Sequence, residues 1–242
     1  MIDGLRLAVT LLTVVPLKVG RVDRDAARWA MVLAPLTGLV VGGGAALVLL
    51  AARPLGLSPL LGAALAVGAT AALTRALHLD GLADLADGLG SRRPAADALA
   101  IMKRSDIGPF GVVTLLFVLF IQVAALAAAP HPALAVLVAA VAGRLALPWA
   151  CRAGVPSARP GGLGDLVAGT VPVRALVPLT AVVAAAAAVA GWPGVLAVAA
   201  GLAAALAMLW HAGRRLGGVT GDVLGALVEI AVTAAIVVLS AR

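Results

Sequence analysis

Charged residues are scarce in this sequence. They make up 12% of its 242 residues, whereas hydrophobic residues make up 63%. Soluble domains carry about 25% charged residues, so the chain is not an ordinary soluble domain. The sequence also lacks the alternation of apolar and polar residues that a transmembrane β-barrel needs. The single cysteine, Cys151, excludes an internal disulfide. What remains is a helical integral membrane protein, because backbone groups in lipid must form hydrogen bonds within their own segment.

Long apolar runs recur along the whole chain, close to the bilayer-spanning length of about 20 residues. They predict an all-α, polytopic membrane protein with about seven transmembrane helices, forming a single membrane-embedded domain over residues 1–242. The predicted spans are 29–51, 59–77, 110–129, 133–151, 174–191, 194–212 and 221–240. Residues 5–17 are apolar but short, and we interpret them as an interfacial or re-entrant segment. Asp3 and the absence of a small-residue cleavage site argue against a signal peptide.

The basic residues are distributed unevenly between the two sides of this arrangement. Sixteen of the eighteen lysines and arginines fall on the side of the N-terminus, and only Arg53 and Arg242 fall on the other. This bias predicts a cytoplasmic N-terminus in the cell membrane, and it accounts for the net charge of +7 without nucleic acid. Ten of the eleven acidic residues lie on the same side. We therefore expect the chemistry at the cytoplasmic face.

Residues 78–91 combine an acidic and an apolar edge. At about 100° per residue, Asp80, Asp84 and Asp87 fall on one side of a helix. The opposite side carries Leu82, Leu85 and Leu89. Carboxylates that share an edge repel one another unless a cation or a basic group lies among them, and Mg²⁺ or Mn²⁺ suits such oxygen ligands. We predict a metal site on Asp80, Asp84 and Asp87; the alternative is a solvated helix face.

Four further residues in or near this stretch are candidates for binding phosphate or metal. Lys103 and Arg104 are suited to neutralise phosphate, and Asp106 to join a metal site. An ordinary basic connection is the alternative. His78 is suited to bind metal or phosphate, and a packing role at a helix end is an equal alternative.

Asp222 and Glu229 are seven residues apart and therefore share one face of the last predicted helix. An ionised carboxylate at the bilayer centre costs about 2.5–3.5 kcal/mol, so we expect Glu229 to face a polar cavity between helices. The alternative is a structural salt bridge, for which Arg144 in the fourth span is the natural partner.

Together these residues resemble the cobalamin synthase family, the adenosylcobinamide-GDP ribazoletransferases, over nearly the whole chain. Three groups of residues carry the resemblance: His78-Leu79-Asp80-Gly81-Leu82-Ala83-Asp84 with Asp87-Gly88; Ile101-Met102-Lys103 with Ile107-Gly108 and Gly111; and Gly218 with Thr220-Gly221-Asp222, Gly225-Ala226 and Glu229. Their order and spacing make the match specific. The multi-span character of the family also agrees with the predicted spans.

The resemblance implies a phosphoryl transfer that needs Mg²⁺, with Mn²⁺ as an alternative. A hydroxyl of α-ribazole, or of its 5′-phosphate, attacks the corrinoid-side phosphorus of adenosylcobinamide-GDP, and GMP leaves. The expected catalytic residues are Asp80, Asp84, Asp87 and Asp222; the expected substrate-binding residues are His78, Lys103, Arg104, Asp106, Arg144 and Glu229. The expected surroundings are the lipid bilayer, and a homo-oligomer is compatible with the sequence.

Some positions depart from the family pattern. Ala100 stands where the family commonly has glutamate, and Arg104-Ser105-Asp106 stands where it commonly has Asp-Ser-Arg, which suggests a charge-exchanged pair. The alternatives are a CDP-alcohol phosphotransferase and a divalent-cation transporter. The phosphotransferase pattern Asp-Gly-x-x-Ala-Arg is not met, because Asp84-Leu85 stands where that pattern has Ala-Arg. A divalent-cation transporter would distribute its acidic residues through the membrane depth, whereas these residues cluster at one face.

Overall fold

The computed structural model describes residues 1–241, which fold into eleven α-helices joined by short connections. The helices are α1 (Ile2–Leu12), α2 (Arg24–Ala52), α3 (Pro59–Leu73), α4 (Leu77–Gly90), α5 (Ala95–Ile101), α6 (Pro109–Ala128), α7 (Pro132–Ala150), α8 (Gly162–Val167), α9 (Val173–Ala187), α10 (Trp192–Leu216) and α11 (Gly221–Ser240). A 3₁₀ turn at Ala188–Ala190 extends α9. Within the described residues no strand longer than an isolated bridge occurs, so the all-α prediction is confirmed.

Local sequence signals account for where several helices begin. Proline occupies the first turn of α3, α6, α7 and α10, where its missing N–H is not needed. The side chains of Asp23, Ser58 and Thr220 cap α2, α3 and α11 by accepting hydrogen bonds from backbone N–H groups. The first of these bonds, from Ala26, holds the pKa of the Asp23 carboxyl below its usual range.

Six helices are long and apolar enough to cross a membrane: α2, α6, α7, α9 with its 3₁₀ turn, α10 and α11. The remaining predicted span, 59–77, corresponds to α3, which is long enough to count as a seventh span only together with α4, from which it is bent by 89°. Six or seven spans agree with the expectation of about seven. The 11-residue α1 is too short to span, as expected for an interfacial or re-entrant segment. The cytoplasmic orientation remains a prediction, and Arg242 lies outside the described residues.

The centre of the bundle is formed by α7 and α11. Most of α7 is buried, and it packs against α2, α10 and α11. By contrast, α6 and α9 are mostly exposed, and α6 presents Phe117 and Phe120 on its outer surface. Apolar side chains on the outside of a helical bundle are what contact with lipid requires.

The bend between α3 and α4 positions the acidic helix. Ala76 adopts a left-handed backbone conformation (φ 55°) just before α4, and the chain turns there. Helix α4 then packs on α11 and α6. Its contact with α11 is close, since a Cβ atom on Gly81 would lie 2.6 Å from the carbonyl oxygen of Asp222. Glycine at this position allows the acidic helix and the start of α11 to meet.

Candidate active site

A cavity of about 310 Å³ lies where α4 meets the first turn of α11. Three charged side chains line it: Asp80 from α4, Asp222 from α11, and Arg159 from the connection between α7 and α8. Its other lining residues are Leu11, Leu12, Met31, Leu77, His78, Leu147, Leu163, Gly221, Leu224 and Gly225. The cavity is therefore an apolar pocket with a few convergent charged groups, as ligand sites commonly are.

Backbone pairing holds Arg159 beside Asp222. The amide of Val219 donates to the carbonyl of Pro156 (3.0 Å), and the amide of Ala158 donates to the carbonyl of Val219 (2.9 Å). One guanidinium nitrogen of Arg159, Nη2, lies 3.4 Å from Asp222 Oδ2 in a partly buried ion pair. The other, Nη1, is buried and has no hydrogen-bond partner among the described residues. This buried N–H group has hydrogen-bonding capacity that no described protein atom satisfies.

Asp222 receives a second contact at the start of α11. The hydroxyl of Thr220 donates to Asp222 Oδ2 (3.2 Å), while its oxygen accepts from the amide of Val223 (3.2 Å). Thr220 thus both caps α11 and orients the carboxylate of Asp222. The carboxylate of Asp222 is held at the cavity by a helix terminus rather than by a mobile loop.

Negative charge predominates around Asp84, one turn along α4 from Asp80. The Asp84 carboxylate lies within electrostatic range of Asp80, Asp87 and Asp222, and among the described residues the positive group that opposes them is Arg159. Such an excess of carboxylate oxygen has the chemistry that Mg²⁺ prefers. Within residues 1–241, however, no group of three His, Cys, Asp or Glu side chains is arranged to hold a metal ion. The carboxylates therefore have the chemistry and charge of Mg²⁺ ligands, but their arrangement does not form a metal-binding group.

Asp87 is used differently from the other two aspartates of α4. It is buried, and both of its carboxylate oxygens accept backbone hydrogen bonds at the start of α6: from Gly108 to Oδ2 (2.7 Å) and from Gly111 to Oδ1 (2.9 Å). It therefore caps α6 and joins α6 to α4. Its predicted role as a catalytic residue and metal ligand remains a prediction, and these contacts favour a structural role.

Three predicted substrate-binding residues, His78, Arg144 and Glu229, line one small cavity of about 20 Å³ between α4, α7 and α11. Glu229 accepts a hydrogen bond from Gln122 (2.9 Å), so it does face polar groups. Arg144 donates instead to the carbonyl of Ala140 (2.9 Å), and no ion pair joins it to Glu229 in the described part of the chain. This cavity lies deeper than the one at Asp222.

Lys103, Arg104 and Asp106 lie on the connection between α5 and α6, and all three are exposed. None of them lines the cavity at Asp222. Across residues 1–241 no ion pair joins Arg104 to Asp106. Their predicted roles as substrate-binding residues and as a charge-exchanged pair stay predictions.

Arg159 is the main residue of the cavity that the sequence analysis did not single out. It is 63 residues from Asp222 in the chain, in a segment with turn-forming residues and no helical periodicity. The neighbouring glycines of residues 160–165 were the only local sign that this loop contributes to a site. The pairing of Ser157 with Val219 that brings Arg159 into position is a contact that no local pattern encodes.

Comparison with known proteins identifies the family. The model of the cobalamin-5-phosphate synthase family matches residues 4–240. A relative from Frankia casuarinae, named adenosylcobinamide-GDP ribazoletransferase, is 44% identical over 97% of this chain and 93% of its own length. Relatives of the same name from Nocardioides sp. (43% identical, 99% of each chain) and Bradyrhizobium diazoefficiens (39% identical, 93% and 88%) also match. No solved structure matches the chain.

These matches cover nearly the whole chain, including α4, the segment that carries Arg159, and α11. The relatives are transferases of cobalamin biosynthesis, which supports an enzyme over a transporter and over a CDP-alcohol phosphotransferase. The chain belongs to the cobalamin-5-phosphate synthase family.

Proposed function

We propose that this protein is an adenosylcobinamide-GDP ribazoletransferase of the cell membrane, with its active site at the cytoplasmic face. A hydroxyl oxygen of α-ribazole, or of its 5′-phosphate, attacks the corrinoid-side phosphorus of adenosylcobinamide-GDP. A new P–O bond forms, the bond from that phosphorus to the bridging oxygen breaks, and GMP leaves. The names of the relatives support this reaction.

The observation that carries the proposal is the meeting of Asp80, Arg159 and Asp222 at one cavity. In the reaction, the guanidinium group of Arg159, which lines the cavity, binds phosphate oxygens of the pyrophosphate. A guanidinium group suits this task because it remains charged and presents several N–H donors in one plane. Its ion pair with Asp222 keeps the group aimed at the cavity before substrate arrives.

The carboxylates supply the remaining functions. Asp84 accepts the proton of the attacking hydroxyl, since it lies within electrostatic range of Asp80 and Asp222 and its own charge is poorly compensated. Asp80, Asp84 and Asp222 would hold Mg²⁺, with Mn²⁺ as the alternative, once their carboxylates are drawn together around the ion. A bound ion would supply charge neutralisation of the pyrophosphate and of the leaving GMP. Asp87 keeps α4 fixed against α6 while these groups act.

The other predicted substrate-binding residues fall into two groups. Lys103, Arg104 and Asp106 are exposed next to α6 and are available to the parts of the substrates that extend beyond the cavity. Arg144 and Glu229 lie beneath it and do not touch substrate in this arrangement. His78 stands apart from both groups, since it lines the cavity at Asp222 as well as the deeper one.

Release of GMP by the purified protein tests the proposal. Protein in detergent is incubated with adenosylcobinamide-GDP, α-ribazole or its 5′-phosphate, and Mg²⁺, and the nucleotide and corrinoid products are measured. We expect equal amounts of GMP and of the joined corrinoid, and neither product when the acceptor or the metal is omitted. GMP release without an acceptor would indicate a hydrolase, and a folded protein that forms neither product would contradict the proposal.

A further inference from the structure

A second and larger cavity, of about 440 Å³, lies at the same end of the bundle between the C-terminal turns of α7 and α10. The segments before Arg159 and before Thr220 form one of its walls. Those segments pair through Ser157 and Val219 and separate this cavity from the one that holds Asp222. The cavity is not part of the site described above.

The cavity carries positive charge without any compensating acid. Arg152 and Arg214 line it, and no aspartate or glutamate does. Arg152 donates one hydrogen bond to the carbonyl of Trp149 (2.8 Å), and Arg214 stacks over the ring of Trp210 at 5.0 Å. Neither guanidinium forms an ion pair within residues 1–241. Both therefore retain N–H donors for an anionic group, and Arg–phosphate pairing is among the stronger contacts of this kind.

The remaining walls are apolar and open toward the outside of the bundle. Leu206 and Leu209 line the cavity together with Trp149 and Trp210, and Trp210 is 63% exposed. Trp210 and Arg214 occupy the last two turns of a helix long enough to span the membrane. Tryptophan and arginine at this depth mark the headgroup level of a bilayer.

We propose that this cavity, which the proposed transferase reaction does not use, binds the headgroup of an anionic phospholipid. The lipid phosphate pairs with Arg152 and Arg214, and an acyl chain follows Leu206 along α10. Basic pockets between transmembrane helices bind anionic headgroups in this way. A bound lipid would contact the wall formed by residues 154–156 and 217–219, which leads directly to Arg159 and Asp222.

Native mass spectrometry of the delipidated protein in detergent tests this site directly. The probes are dioleoylphosphatidylglycerol and, as the neutral-headgroup control, dioleoylphosphatidylcholine. We expect one phosphatidylglycerol to be retained in preference to phosphatidylcholine. Arg152→Gln/Arg214→Gln should weaken this binding roughly tenfold or more, because it removes both positive charges. Arg6→Gln/Arg92→Gln, which removes the same charge from exposed positions outside the cavity, should retain it.

A second variant tests the cavity itself and leaves both arginines in place. Gly213 lines the cavity, and a Cβ atom there would meet no other atom within 4 Å, so Gly213→Leu fills the space without a backbone clash. Gly68→Leu is the matched control, since its Cβ position in α3 is equally open. We expect Gly213→Leu to lose phosphatidylglycerol and Gly68→Leu to retain it, with both proteins melting near the wild-type temperature.

Three results would overturn the proposal. Equal retention of the two lipids would show that the negative charge of the headgroup does not determine binding. Unchanged binding in both cavity variants would show that the lipid binds outside this cavity. Displacement of phosphatidylglycerol by water-soluble α-ribazole 5′-phosphate at equal concentration would assign the cavity to a reactant. The readout is independent of GMP release, so this proposal and the proposed reaction can fail separately.

Discussion

At the scale of single residues, the three aspartates of α4 have separate environments although they share one helix edge. Asp80 lines the cavity, and Asp84 lies among other carboxylates. Asp87 is buried and accepts two backbone hydrogen bonds. Carboxylate oxygens already satisfied by backbone N–H groups gain less from a cation than poorly compensated ones do. We therefore assign the chemistry to Asp80 and Asp84, and the structural role to Asp87.

Asp84→Asn tests this assignment because it keeps the size of the side chain and removes the charge. A solvated surface position would tolerate the change within about 0.5 kcal/mol of stability and with normal turnover. We expect normal insertion and melting, but loss of most GMP release from adenosylcobinamide-GDP, with excess Mg²⁺ restoring at most a part. Near-normal turnover in the folded variant would contradict the carboxylate site.

Asp87→Asn should give the opposite pattern. The amide retains one acceptor oxygen but replaces the other with a donor, which faces the N–H group of Gly108 or Gly111. We expect a loss of about 1–3 kcal/mol of stability, measured by thermal unfolding in detergent, because a buried backbone group loses its partner. Activity measured well below the melting temperature should fall less than in Asp84→Asn. Unchanged melting together with a shifted Mg²⁺ requirement would instead indicate that Asp87 binds the metal.

At the scale of elements, the site depends on how closely α4 approaches α11. The glycine at position 81 allows this approach, since a Cβ atom would lie 2.6 Å from a carbonyl oxygen of α11 and 3.0 Å from the Cα of Asp222. The clash of an added methyl group cannot be relieved by rotation of a side chain, because the atoms that it meets belong to the backbone. The two helices must separate, and Asp222 would then move away from Asp80.

Gly81→Ala is therefore expected to damage both folding and catalysis. Overpacking typically costs about 1–3 kcal/mol, so the melting temperature should fall, and the displacement of Asp222 should lower GMP release even where the protein is folded. Gly68→Ala is the control, since its Cβ position is open and alanine favours a helix over glycine. It should leave both quantities unchanged or raise the melting temperature slightly. Equal behaviour of the two variants would mean that the close contact does not position the site.

The limits of sequence-based prediction follow from the same contacts. The helix of residues 78–91, its acidic edge and the spans could be predicted, because hydrophobic periodicity and apolar length are local properties. The capping role of Asp87 could not, since its partners lie 21 and 24 residues later and its spacing on α4 resembles that of a ligand. Arg159 was missed for a similar reason, because the pairing of Ser157 with the distant Val219 brings it to Asp222.

At the scale of the whole molecule, the helix ends that contribute to the site lie together at one end of the bundle. The start of α11, the connection after α7 and the acidic helix α4 meet at one cavity, whereas Arg53, His131 and Trp192 lie at the opposite ends of the spans. A polar path through the membrane would need carboxylates at successive depths. Glu229 is the one acidic side chain far along a span, and it is hydrogen-bonded to Gln122. This distribution favours a reaction at one face over transport.

The orientation of that face is testable by cysteine labelling in intact cells. The sixteen-to-two bias of basic residues predicts that the site faces the cytoplasm, where nucleotide substrates are available. Single cysteines replacing Arg53, His131 or Trp192, all exposed, should react with a membrane-impermeant maleimide added from outside. Cysteines replacing Arg93 or Arg159 should react only after the membrane is permeabilised. The native Cys151 is buried and gives a low background. Labelling at position 93 from outside would reverse the orientation and separate the proposed site from its nucleotide substrate.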